Sequence, residues 1–110
     1  MTDRQSAIVT GGSSGIGKAV AHKLASRGIN VLIADINISG GEQVSKDLKV
    51  RYGIDSAFVK LDTTVEADCI NMVDTVVKLW GRLDWACNCA GKAEILTDGE
   101  EDVTEKVFDE

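Results

Sequence analysis

At 110 residues the chain has the length of one domain with a modest core and is too short for two. A hydrophobic fraction of 44% with 27% charged residues argues against disorder and fibrous architectures, and no apolar run approaches the ~18 residues of a bilayer span. The net charge of −6 is concentrated in residues 94–110, where eight acids face Lys106 alone, so the rest of the chain is near neutral and offers no basic stripe to nucleic acid or to an anionic membrane surface.

Met1 to Gln5 lead straight into a strand-like stretch rather than a signal-peptide core, so a cytoplasmic location is expected. Cys69, Cys87 and Cys89 are odd in number and lack paired CxxC spacing, so reduced structural thiols are expected, with no metal site.

Ala7-Ile8-Val9, ending at Thr10, reads as a buried parallel strand that runs at once into glycines. From Gly15, the residues Ile16, Val20 and Leu24 recur at helical spacing, with Ala19 and Ala25 beside them, until Arg27-Gly28 closes the helix. Val31 to Ala34 forms a second strand ending at Asp35. Gly40-Gly41 then precedes a helix expected to carry Val44, Leu48 and Tyr52 on one face. A third strand, Ala57 to Leu61, ends at Asp62. The helix after it is marked by Cys69, Val73, Val76, Val77 and Trp80 and stopped by Gly81. Leu83 to Cys89 makes a fourth strand. Trp80 and Trp85 bracket this crossover and are expected to fill the core between helix and sheet. Thr104 is placed to cap a last helix, with Val103 and Phe108 as a hydrophobic staple. Strands alternating with helices require a parallel sheet with right-handed crossovers. The expected fold is therefore α/β, a doubly wound Rossmann-type sheet of strand order 3-2-1-4, treated as one dinucleotide-binding domain over residues 1–110 and incomplete for want of further strands.

The segment Thr10-Gly11-Gly12-Ser13-Ser14-Gly15-Ile16-Gly17 lies between the first strand and the first helix, where glycines allow a backbone to approach a pyrophosphate closely. Gly11 suits the tight turn, Gly15 leaves room for the ligand, and Gly17 lets the helix pack. The N–H groups at the helix start, among Ser13, Ser14 and Ile16, face the phosphate. Asp35, about 20 residues past the glycines, is placed to accept from the adenosine ribose hydroxyls. A 2′-phosphate would meet like charge there, and neither Ile36 nor Asn37 supplies an arginine, so NAD is expected over NADP.

Together with Leu61-Asp62-Thr63 and Asn88-Cys89-Ala90-Gly91, these motifs resemble the short-chain dehydrogenase/reductase family over nearly the whole chain. The resemblance implies an NAD(P)-dependent oxidoreductase that moves a hydride between the nicotinamide and an alcohol or carbonyl group. It implies that Asp62 bonds the adenine amine with Thr63 close by. It also implies that Asn88 ties the fourth strand to its neighbours near the cofactor, with Ala90 and Gly91 beside it. Cys89 departs from the family, which commonly has a second asparagine there. Family members act through a serine, a tyrosine and a lysine three residues after that tyrosine, plus an asparagine. The only tyrosine here is Tyr52, followed three residues later by Asp55, so no catalytic residue is assigned.

The leading expectation is therefore the cofactor-binding portion of such an enzyme, truncated before its catalytic residues and inactive alone, with a small-molecule substrate only in a longer form. The alternatives are a stand-alone nucleotide-binding module and a non-catalytic partner that completes its sheet with another chain. The apolar fourth strand, left at an edge, favours self-association. His22, the only histidine, is expected at the surface.

Overall fold

The computed structural model describes residues 4–89. Four strands, β1 (Ser6–Thr10), β2 (Asn30–Asp35), β3 (Ser56–Lys60) and β4 (Trp85–Asn88), alternate with three helices, α1 (Gly15–Ser26), α2 (Ile38–Tyr52) and α3 (Glu66–Trp80). All strand pairs are parallel, in the order β3-β2-β1-β4, which is the order expected. Ala90, Gly91, the helix expected at Thr104 and the acidic stretch 94–110 lie outside the described residues.

The central strands are buried on both faces, and their side chains divide by pleat between two cores. Val9, Val31, Ile33 and Cys87 join Ala21, Ala25, Val44 and Leu48 beneath α1 and α2. Ile8, Leu32 and Ala34 join Leu61, Met72 and Val76 beneath α3 on the other face. The chain thus runs outward from β1 to β3 under one pair of helices, then returns across the sheet under α3 to place β4 on the far side of β1. This reversal next to β1 is the switch point at which doubly wound sheets open a crevice above the carboxyl ends of their strands.

Several expectations within the elements are corrected. The buried stripe of α1 is Gly17, Ala21 and Ala25. Val20 and Leu24 are half-buried beside it, while Ala19 is exposed and Ile16 is 64% exposed. Small residues win this face because they let the helix lie close to the sheet. Gly40 and Gly41 do not precede α2 but sit in its first turn, since Asn37 caps the helix by accepting from the Gly40 N–H at 3.1 Å. A Cβ on Gly41 would lie 2.1 Å from Cε1 of Phe58, so the glycine admits the β3 ring beneath the helix. On α3 the buried pair is Met72 and Val76, with Val77 52% exposed. β4 is shorter than expected, because Leu83 and Asp84 precede the ladder and Cys89 follows it.

The two tryptophans are half-buried on opposite faces rather than filling one core. The Trp80 indole N–H donates to Asp55 Oδ2 at 2.8 Å and that of Trp85 to Gln5 Oε1 at 3.3 Å. Both lie at the amino-terminal end of the sheet, since Trp85 pairs with Ala7 and Asp55 immediately precedes β3. His22 is likewise not a free surface group. It is half-buried between α1 and α2, with Nδ1 2.9 Å from the Tyr52 hydroxyl and the rings edge to face at 5.6 Å.

Candidate cofactor-binding site

Above the carboxyl ends of β1, β2 and β3 lies a cleft of about 210 Å3 lined by Gly11, Ala34, Asp35, Ile36, Leu61, Asp62 and Thr63. Five of these seven, Gly11, Asp35, Ile36, Asp62 and Thr63, are residues picked out from the sequence. They converge because each follows or ends a parallel strand, and parallel strands bring their carboxyl ends to one edge.

Gly11, at the start of the glycine turn, forms one wall. Gly11 continues β1 through its N–H, which donates to the Ala34 carbonyl at 2.7 Å, and then turns away at φ 70°. Gly17 is needed for contact rather than for its dihedral angles: a Cβ there would lie 2.0 Å from the Gly11 carbonyl oxygen and 2.7 Å from its carbon. Gly17, expected to let α1 pack against the sheet, instead makes its close approach to the backbone of the turn. At Gly15, with φ +59°, a Cβ would meet nothing within 4 Å, so its position opens on free space. Ser14 precedes α1 in extended conformation and its side chain does not cap the helix, whose first turn carries no acid. The N–H groups of that turn therefore keep their capacity to bind an anion. Ile16 stands exposed beside them.

Asp35 ties this wall to the next. Its Oδ2 accepts from the Ser13 N–H at 3.0 Å and its Oδ1 from the Asn37 N–H at 2.9 Å. Partial burial pushes this carboxyl up, but the bonds from Asn37, Ser13 and Ile36 together outweigh it and hold Asp35 below the usual carboxylate range. Asp62, on the turn after β3, is also held low, by the Thr64 hydroxyl and then the Thr64 N–H, which reach its Oδ1 at 2.6 and 2.9 Å. The cleft thus presents two ionised carboxylates, and none of the residues lining it is basic.

Of the other described residues picked out from the sequence, Ser13, Ser14, Gly15, Ile16, Gly17 and Asn88 are not in the lining, although they lie at the same end of the sheet. Thr10 joins β1 to β4 at the switch point: its buried hydroxyl donates to Asn88 Oδ1 at 2.8 Å and accepts from the Cys89 N–H at 3.2 Å. Cys89 packs against the core that holds Cys87. Burial raises the Cys87 thiol to about 12, with Cys89 adding to it, and burial raises Cys89 to about 11. Both are poor nucleophiles and poor metal ligands at neutral pH. No group of metal-binding side chains occurs among the described residues, and no described helix is long and apolar enough to cross a membrane.

The sequence assigns no role to the Thr10 hydroxyl, to Thr64 or to Asp68. Asp68 accepts the Asp62 N–H at 3.0 Å from the first turn of α3. The spacing Asp62-x-Thr64 is a legible turn signal, and an acid in the first turn of a helix is another, but which backbone N–H that acid reaches depends on how the turn folds.

Comparison with known proteins agrees with this geometry. The family model for short chain dehydrogenase matches residues 5–110. The 3-hydroxyacyl-CoA dehydrogenase type-2 of Drosophila melanogaster is 43% identical over 86 residues, which is 78% of this chain and 32% of that protein. The structure of NAD+-bound xylitol dehydrogenase superposes with a TM-score of 0.75 at 30% identity, over 81% of this chain and 34% of that one. An alcohol dehydrogenase from the archaeon Thermococcus sibiricus, complexed with 5-hydroxy-NADP, shares the fold at 24% identity and a TM-score of 0.74, over 77% of this chain and 36% of that one. The chain spans about a third of the length of each of these proteins. With the family model continuous across the glycine turn and all seven elements, this chain belongs to the short chain dehydrogenase family.

Proposed function

We propose that this chain holds the dinucleotide of a nicotinamide-dependent oxidoreductase, and that it takes NAD in preference to NADP. The single observation that carries the reading is the cleft in which the glycine turn, Asp35 and Asp62 meet at the ends of three adjacent strands. The residues fit the group. The uncapped first turn of α1 and the open space at Gly15 suit a pyrophosphate, with Gly11 in the lining and Ser14, Gly15, Ile16 and Gly17 following it, while the Ser13 N–H is taken by Asp35 and is not free for the phosphate as expected. Asp35, which lines the cleft at the end of β2, suits the ribose hydroxyls as an acceptor. Asp62 and Thr63 suit the adenine, with Ile36 beside it, and Asn88 belongs toward the nicotinamide end. A 2′-phosphate would face Asp35 with no basic group in the lining to offset it.

When bound, the nicotinamide supplies the hydride. The chain's own residues bind and orient it, and the proton that accompanies the hydride comes from elsewhere than Tyr52. That hydroxyl is engaged with His22 between α1 and α2, and the end of α2 lies at the opposite edge of the sheet from the cleft. The substrate is accordingly a small alcohol or carbonyl compound. The protein is expected to work in the cytoplasm. The outer strand β4 is its surface for association with another chain.

The test is a calorimetric titration of the purified chain with NADH and NADPH. Saturable binding with NADH at least about tenfold tighter is expected, and Asp35→Ala should weaken it. Equal affinity for the two cofactors would refute the preference, and no binding by a folded chain would refute the function. Calorimetry serves better than tryptophan quenching here, because both tryptophans sit at the far end of strands about 16 Å long.

A further inference from the structure

We propose that a second cleft, at the amino-terminal end of the sheet, binds a small neutral aliphatic carboxamide, with the side-chain amide of Asn30 donating to its carbonyl oxygen. This site lies at the opposite end of the strands from Gly11, Asp35 and Asp62 and does not depend on the dinucleotide reading.

The cleft, of about 570 Å3, opens between the start of β2, the loop from α2 to β3 and the end of α3. Asn30 lines it and is only 2% exposed, yet half of its amide is unmatched. Its Oδ1 accepts the Asp55 N–H at 2.9 Å, while none of the described residues accepts from Nδ2. Buried donors without an acceptor are costly, and native interiors seldom keep them. The polar neighbour on β1 gives no relief. Ser6 is the register partner of Asn30, and both alternate along their strands with Ile8 and Leu32 of the core beneath α3, so their side chains share that face. Ser6 Oγ, closed off from solvent, has no partner either. Nδ2 is not closed off in this way, so its hydrogens are offered to the cleft.

The surrounding groups decide the charge of what accepts them. Arg4 and Asp55 line the cleft with opposite signs. The Asp55 oxygens already accept from the Ser56 N–H at 2.9 Å and the Trp80 indole N–H at 2.8 Å. Helices α2 and α3 both end at the cleft, at Gly53 and Trp80, and each end contributes roughly half a negative charge through its leftover carbonyls. The balance is about −1, which opposes a carboxylate. An ammonium group suits that balance but has no lone pair for Asn30. A carboxamide meets both demands, since its oxygen accepts from Nδ2 and its N–H groups can face the helix-end carbonyls. Ile54, Leu79 and Trp80 supply the apolar wall for its aliphatic part.

The experiment is an NMR titration of the isotopically labelled full chain with isovaleramide, isovalerate and isoamylamine, which share one branched apolar body. Isovaleramide should bind saturably, at least about fivefold tighter than the other two, and shift the Asn30 Nδ2 and Trp80 Nε1 signals. Asn30→Asp keeps an acceptor for the Asp55 N–H and removes the donors, so it should abolish the preference for the amide and turn it toward isoamylamine. Leu79→Ser, at a position 47% exposed, should weaken the three probes alike. If Asn30→Asp fails to fold, the shifts in the unaltered chain and the Leu79→Ser titration still decide the matter. Isovalerate binding as tightly as isovaleramide, shifts that do not saturate or that fall away from Asn30 and Trp80, or a folded Asn30→Asp that keeps the amide preference would each overturn the proposal.

Discussion

Replacing Gly17 by alanine tests whether the glycine turn is held in shape by α1. An alanine in a helix interior is ordinarily better than glycine by roughly 1 kcal/mol, so propensity alone predicts a more stable protein. The structure predicts the reverse. The added Cβ would lie 2.0 Å from the Gly11 carbonyl oxygen, and ordinary contact begins at 3.4 Å, so helix and turn must separate by about 1.4 Å. The obstacle is backbone, which has no rotamer in which to escape. Gly11 is also anchored by its 2.7 Å hydrogen bond to the Ala34 carbonyl, so moving the turn strains the end of the β1–β2 ladder. Overpacking of this kind costs about 1–3 kcal/mol, and against a backbone obstacle the upper end applies, which should leave Gly17→Ala less stable by up to about 2 kcal/mol after the propensity gain is subtracted. Urea denaturation followed by circular dichroism measures that loss, and calorimetry with NADH should show affinity falling by more than tenfold. A variant as stable as the parent that binds NADH within twofold of it would refute the argument from close approach.

The Asp35 carboxyl is held below its usual range in the folded state, so its bonds to Ser13 and Asn37 stabilise the protein above the unfolded value near 3.8 and are lost as pH falls through the lower folded value. Asp35→Asn should flatten that acid limb of the stability curve and narrow the gap between NADH and NADPH, and an unchanged limb would count against the assignment. His22 is held below 6.5, first by burial and then by the charges of Arg51 and Lys18. Its contribution to stability is therefore present above the unfolded value and declines as pH drops through the folded one. Because it is the only histidine, one NMR titration reads it without ambiguity, and a midpoint at or above 6.5 would contradict the packing described. With the Cys89 thiol raised to about 11 and Cys87 to about 12, only about one in a thousand of the former and fewer of the latter are thiolate at pH 8. Alkylation of both should be slow in the native protein and rapid in urea, as mass spectrometry of the modified peptides would show; equal rates in the two states would refute their burial.

Much of the fold was legible because it is written in local pattern. Apolar runs such as Val31 to Ala34, each followed by a glycine-bounded helix, specify parallel strands, and the return of α3 across the sheet follows from the handedness of crossovers. The candidate site was legible in part for the same reason: residues at the ends of parallel strands meet, so Gly11 and Asp35 could be named from spacing, while Asp62 was named from the family resemblance.

The errors fall where a contact between distant residues decides. Periodicity put Ile16 on the buried stripe of α1, but the stripe is set by how closely the helix approaches the turn, which selects Gly17, Ala21 and Ala25. Gly40 and Gly41 looked like a helix boundary, and packing against Phe58 with a cap from Asn37 places them inside α2. The tryptophans are hydrophobic enough to suggest a core, but each indole N–H needs an acceptor, and Asp55 and Gln5 supply one at the rim. The sequence by itself determined the order of elements, the parallel sheet and the chemistry gathered above it, because these depend on residue type and spacing along the chain. Only the tertiary structure decided which side chains are buried and that Thr64 and Asp68 hold Asp62, because those outcomes depend on distances between segments that spacing does not fix.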